Sequence, residues 1–309
     1  MFLDFDFKKI LLLAGIALFA AIIYFAGPEA LLKTLAGANA LTLAAAALLV
    51  LVVVALNIVK FHILAQSLGK LGLADSARIV SFTQLVNQGM VALVGEAAKG
   101  VLLKKFKGVR LSRALSIVAV ERFQDVALIF VFSLLVFSRL GVQVPAAAIV
   151  LLAAAVVAAI ALIAAPERVL RRLLFFPWLR ENVLEFREGM RTISPAAFFA
   201  AFALSLAAIL VGGAANTLIL SSLGANVDYA TVLTVTSAAS LVGLLSALPA
   251  GLGAREIVLV GAYSQLGVAP AVAVAASLVL RALFALESLG ANVFLSTIPA
   301  TGASGAKDA

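Results

Sequence analysis

Residues 41–59, LTLAAAALLVLVVVALNIV, contain no formal charge, and that single feature narrows the possible folds sharply. A hydrocarbon core about 30 Å thick is crossed by roughly 20 apolar helical residues. The stretch 40–60 has that length, and comparable runs lie near 10–26, 112–138, 146–165, 195–222 and 270–297. Backbone polar groups in oil must be satisfied internally. The sequence therefore predicts an all-α polytopic membrane protein of about six full spans. Composition agrees: 64% of residues are hydrophobic and 12% charged, against about half and about a quarter in soluble domains.

Two further apolar regions, 79–106 and 229–267, are interrupted by glycine and charge and read as helical hairpins, re-entrant or broken. The segment 254–266 follows Pro249, Gly251 and Gly253 and is too short to cross at ~1.5 Å per residue. The absence of cysteine, with His62 as the sole histidine, excludes disulfides and most metal chemistry. No metal, cofactor or ATP-binding GxxxxGK[ST] loop is expected.

The net charge of +8 does not indicate nucleic acid, because the cations follow topology. With a cytoplasmic N-terminus, and each interrupted region entering and leaving on one side, only Lys33, Arg139 and Arg255 fall outside. Arg122 and Arg281 lie within spans, and the other cations, Lys60 and Lys99 among them, face the cytoplasm. That bias predicts a cell (inner) membrane protein with both termini cytoplasmic.

The chain repeats itself. Gly95-Glu96, Gly108-Val109 and Arg122 recur about 160 residues later as Arg255-Glu256, Gly267-Val268 and Arg281. The implied units are an N-terminal anchor (1–39), repeat A (40–138), a connecting span with an amphipathic segment (139–194), repeat B (195–297) and a polar tail (298–309). Between the two copies lies one extra span, so repeat B should sit upside down relative to repeat A. Inverted repeats with broken helices are a recurring transporter plan, with the site near the midplane.

Glu121, Arg122 and Asp125 share one helical face, and Arg122 stands ten residues in from Ser112, roughly 15 Å deep. Arg281 lies at a similar depth from the opposite surface. A charge at that depth costs on the order of 2.5–3.5 kcal/mol. One account is structural: Arg122 pairs with Asp125 or Glu121, and Arg281 with Glu96, Glu256 or Glu287. The other is a site for an anionic headgroup, since guanidinium forks match phosphate oxygens and helix starts after glycine breaks offer free N–H groups. Glu96 and Glu256 would then hold the cations or be displaced by the anion, and proton exchange at Glu96, Glu256 or Glu121 could supply energy. The mixed segment 166–191 predicts a cytoplasmic amphipathic helix at the interface. His62, beside Lys60, reads as a membrane-edge residue.

The stretches GEAAKGVLL…GVRLSRALSIVAVERFQD (95–125) and LPAGLGAREIVL…LGVAPAVAVAASLVLRAL (248–283) resemble the flippase-like family named for the transmembrane region of lysylphosphatidylglycerol synthase. The resemblance covers roughly 40–297. It implies an inverted-repeat polytopic fold and translocation of lipids with phosphate-containing headgroups, and it marks Glu96, Arg122, Arg255, Glu256 and Arg281. Where that family usually shows arginine three residues after the first glutamate, this chain has Lys99, which keeps the charge without the bidentate fork. The chain ends soon after its last span, so it is not expected to carry the soluble aminoacyl-transferase domain or to be an enzyme.

The resulting expectation is a flippase or scramblase for a phospholipid or polyprenyl-phosphate lipid. Its phosphate would sit between Arg122, Arg281, Arg255 and Lys99, attended by Glu96, Glu256, Glu121 and Asp125. Two alternatives stand beside it: a secondary transporter of a small soluble anion, and a non-transporting scaffold subunit for a lipid-modifying transferase.

Overall fold

The computed structural model describes residues 5–89, 92–139, 176–246 and 248–297, and every regular element among them is a helix. Helices α1 (Phe5–Ala26) and α2 (Pro28–Ala36) are separated by Gly27 at φ 84°. Pro28 has no N–H to continue α1 and suits the first position of a new helix, so Leu13–Ala26 and α2 meet at a 79° bend. Helix α3 (Ala40–Ala65) starts where Asn39 accepts the Thr42 N–H at 3.0 Å.

Helices α4 (Leu73–Gly89), α5 (Ala92–Lys107) and α6 (Leu111–Arg139) follow, then α7 (Pro177–Arg191) and α8 (Pro195–Ser222). The last three are α9 (Tyr229–Leu245), α10 (Ala254–Gln265) and α11 (Pro270–Ser296). Among the described residues, α3 with a short extension to Leu68, α8 and α11 are each long and apolar enough to cross a bilayer, and the bent α1–α2 pair makes a fourth span. Helix α6 has 29 residues and so the length to cross, but Glu121, Arg122 and Asp125 interrupt its apolarity. The expected span 146–165 and the tail 298–309 lie outside the described residues.

Both interrupted regions are helix pairs. Helix α4 packs on α5 and α9 on α10, and at 12 to 17 residues each falls short of roughly 20. The α4–α5 junction, residues 90 and 91, is outside the described residues. In the second pair the chain turns through Pro249–Gly251, with Ala250, Gly251 and Gly253 all at positive φ. A Cβ on Gly251 would lie 2.9 Å from Gly243 Cα, so α9 crosses this turn at a contact only glycine permits.

Packing joins the two halves. Asn39 N–H at the start of α3 donates to the Ser222 carbonyl at the end of α8 (2.8 Å). Ala46 and Val50 share a core with Ala215 and Ile219, whereas Phe61 and Ala65 share another with Ala201. Helices α3 and α8 therefore run antiparallel. Helix α4 packs on α11, and α9 on α6. Gln84 reaches Glu287, and Arg78 reaches the Leu295 carbonyl, so α4 and α11 are also antiparallel.

Helix α7 adds tertiary contacts to the expected amphipathic segment. The helix expected at the interface docks on the start of α6. Glu185 pairs with Arg110 (2.6 Å) and accepts from Ser112 (2.9 Å), and Glu188 pairs with Arg113. A Cβ on Gly189 would stand 2.1 Å from Ser116 Oγ, so the backbones are in close approach. Trp178 stays exposed at the helix start. The earlier part of the amphipathic segment, 166–175, lies outside the described residues.

Candidate functional site

Four charged elements converge on one cavity of about 760 Å³. Helix α6 contributes Arg122 and Asp125, helix α10 contributes Arg255, and helix α11 contributes Arg281. Glu96 of α5 and the amides Gln84, Asn87 and Gln88 of α4 complete the polar wall. The remaining wall is mainly apolar, including Leu115, Val118, Ile129, Leu244, Leu280 and Phe284. The backbone of the α9–α10 turn, at Ala250 and Gly251, also faces the space. A volume of this size falls within the range of small-ligand sites, about 300–1,000 Å³.

In the first half the charges balance. Arg122 Nη2 meets Glu96 Oε1 at 2.8 Å, and Arg122 Nη1 lies 3.5 Å from Asp125. Asp125 also accepts from Lys60 (2.7 and 2.9 Å) and from Ser205 of α8 (2.8 Å). Lys99 donates to both oxygens of Glu121 (3.1 and 2.9 Å) and stands over the Phe61 ring, 5.2 Å from its centroid. Three cations thus face three carboxylates. Lys60, Lys99 and Glu121 are almost fully buried in this network, while Arg122 and Asp125 reach the cavity.

The second half leaves one cation without an ion pair among the described residues. Glu256, fully buried, accepts from Arg281 Nη2 (2.9 Å), Arg281 Nε (3.2 Å) and Ser277 (2.6 Å). Its other oxygen accepts the Gly253 N–H at 2.8 Å, which ties the carboxylate to the first turn of α10. Arg281 Nη1 donates to the Ala250 carbonyl at 3.1 Å. Arg255 makes no ion pair and no hydrogen bond among the described residues, and its Nε is buried. A guanidinium without an ion pair beside an apolar wall is electrostatically costly.

The structure brings together five of the sequence-predicted residues: Arg122, Arg255, Arg281, Glu96 and Asp125 line the cavity. Three others are placed differently. Lys99, Glu121 and Glu256 sit behind the wall, each almost fully buried in its own pair. Lys99 is held by Glu121 and Phe61 and so does not present its charge to the cavity, which corrects the expected four-cation cradle.

Lys60 is a second correction. Counted on sequence as a cytoplasmic flank, it is 1% exposed and bridges α3 to α6 through Asp125. Its position at the end of a long apolar run gave no sign of this. His62 bonds Ser76 and Gln66, as suits an edge residue. Gln84, Asn87 and Gln88 were missed, although their spacing of three and four places amides on one face of a helix, a pattern readable in advance. Phe186, reaching the cavity from α7, depends on docking alone.

The geometry is accompanied by a family match. The lysylphosphatidylglycerol synthase TM region family matches residues 12–285, which includes every residue named in the cavity. No curated protein matches the chain significantly. A match over most of the length, on a framework of bilayer-length apolar helices, makes this a multi-pass membrane protein of a family tied to lipid handling. The chain belongs to the lysylphosphatidylglycerol synthase transmembrane-region family.

Proposed function

We propose that the protein translocates a lipid with an anionic phosphate headgroup, as a flippase or scramblase. One observation carries this reading: three guanidinium groups from both halves face one apolar-walled cavity, and one of them, Arg255, forms no ion pair among the described residues. Arginine forks bind phosphate oxygens bidentately, and the low-dielectric wall strengthens that attraction. The headgroup occupies the cavity while acyl or isoprenoid tails remain in the bilayer.

The packing supports an inverted repeat as the moving framework. Helices α3, α4, α5 and α6 parallel α8, α9, α10 and α11 in order. Gly108 and Gly267 end the third helix of each set at φ 65° and 77°. The first members, α3 and α8, lie antiparallel, and the second helix of each half packs on the fourth of the other. That exchange is what a pseudo-two-fold axis in the membrane plane produces. Alternating access then consists of the two halves rocking about the cavity, with α4–α5 and α9–α10 as re-entrant pairs and both termini cytoplasmic.

The test is headgroup translocation of a fluorescent phospholipid in proteoliposomes. Loss of a charge-assisted hydrogen bond amounts to about 1.5–3 kcal/mol, so Arg122→Ala and Arg281→Ala each slow translocation by roughly tenfold or more. Unchanged rates in both overturn the reading. Uptake of a small soluble anion, with no lipid retained in native mass spectrometry, replaces it with an anion transporter.

A further inference from the structure

Five carboxylates lie on the inner stretches of α5, α6, α10 and α11, and four have a cation within 4.0 Å. Glu96 has Arg122, Glu121 has Lys99, Asp125 has Lys60, and Glu256 has Arg281. Protonating Glu121, Asp125 or Glu256 strands a largely buried cation, which is strongly unfavourable, and protonating Glu96 breaks its contact with the half-exposed Arg122. They are fixed counter-ions.

Glu287 is the exception. It sits on α11 about one turn past the helix midpoint, half-buried. Its recorded partners are neutral: Gln84 Nε2 of α4 donates to Oε2 at 3.3 Å, and Ser288 Oγ lies at the same distance. Helix α11 packs on α1, α2, α3, α4, α8 and α10. The described titratable groups on those elements include Tyr24, Glu29, Lys33, Lys60, His62, Asp75, Arg78, Arg255, Glu256 and Tyr263. None forms an ion pair or hydrogen bond with Glu287, nor does Arg281 on its own helix. Helix α8 carries no titratable residue. Glu287 can therefore gain and lose a proton without leaving a charge partner behind.

Its position gives that proton a consequence. The Gln84–Glu287 contact joins α4 of the first half to α11 of the second, across the interface that rocking must rearrange. The Arg281 side chain, which faces the cavity, is on the same helix.

We propose that Glu287 is a proton-binding site that couples lipid translocation to a proton gradient, an inference that rests on the transport reading above. The carboxyl O–H bond forms with a proton from one aqueous side and breaks with release to the other, so that one proton crosses in each cycle. No other reactant is needed. An intramembrane carboxyl of this kind is a recognised proton-relay element.

The experiment imposes a gradient of one pH unit across wild-type proteoliposomes holding a pH-sensitive lumenal dye and a fluorescent phospholipid. Coupling to one proton changes the steady-state lipid distribution by about tenfold, with matching movement of protons. Glu287→Gln, of the same shape, removes the gradient response while lipid exchange at equal pH continues. Glu287→Asp, which keeps a titratable group, retains the response. The proposal is overturned if Glu287→Gln still follows the gradient, or if wild type exchanges lipid with no gradient effect. In that second case the transport reading stands. Absence of any translocation by wild type removes the transport reading and the coupling together.

Discussion

The two halves of this membrane protein present matching helices but unlike electrostatics. In α3–α6, Lys60, Lys99 and Arg122 meet Glu96, Glu121 and Asp125 in a mesh where most members touch two partners. In α8–α11 a single carboxylate, Glu256, anchors Arg281 and leaves Arg255 unpaired. The mesh is self-sufficient, and the second half is not. The difference is one of pairing: among the described residues each cation of the first network has a carboxylate within 4.0 Å, and Arg255 has none.

If that contrast is right, the largest effect belongs to Glu256→Gln. Glu256 is the sole carboxylate of Arg281 and also holds the start of α10, so its loss destabilises by about 3–5 kcal/mol, read as unfolding in detergent. Glu96→Gln leaves Arg122 with Asp125 and Lys99 with Glu121, and costs about 1–2 kcal/mol. Equal losses in the two variants would show that the mesh has no redundancy.

A smaller effect tests the kinship of the halves. Gly108 and Gly267 both have left-handed backbone, and a Cβ at either meets nothing within 4 Å. Alanine at each position therefore costs only the backbone term, about 1–2 kcal/mol. Similar losses in unfolding experiments fit the repeat, and a cost at one site alone argues against equivalent turns.

The smallest change in stability is expected at Arg255→Met. With no partner to orphan, the variant keeps its stability within about 0.5 kcal/mol or gains slightly. Native mass spectrometry should nevertheless show loss of retained anionic lipid. A melting loss like that of Glu256→Gln would place Arg255 within the structural network after all.

Much of the framework was legible because its causes are local. The charge-free run 41–59, the Asn39 and Ser194 caps, and the glycines at 251, 253 and 267 each act through their own segment of backbone. The placing of Arg122 and Arg281 in the middle of long helices followed from counting residues. The partners of the charges were less legible. Lys60 looked like a flank because its role depends on Asp125, 65 positions away. Lys99 looked available because nothing local announced Glu121 and Phe61 around it. Gln84, Asn87 and Gln88 carried a readable helical spacing that was passed over because their region was interrupted.

The sequence by itself determined the solvent this chain folds in, the all-helical class, and the places where helices break. Hydrophobic length, proline and glycine geometry, and the cost of charge in oil operate within a single segment. Only the tertiary structure decided which cations are neutralised and which are left open, because ion pairing acts over a few ångströms between side chains that the chain brings together from distant helices.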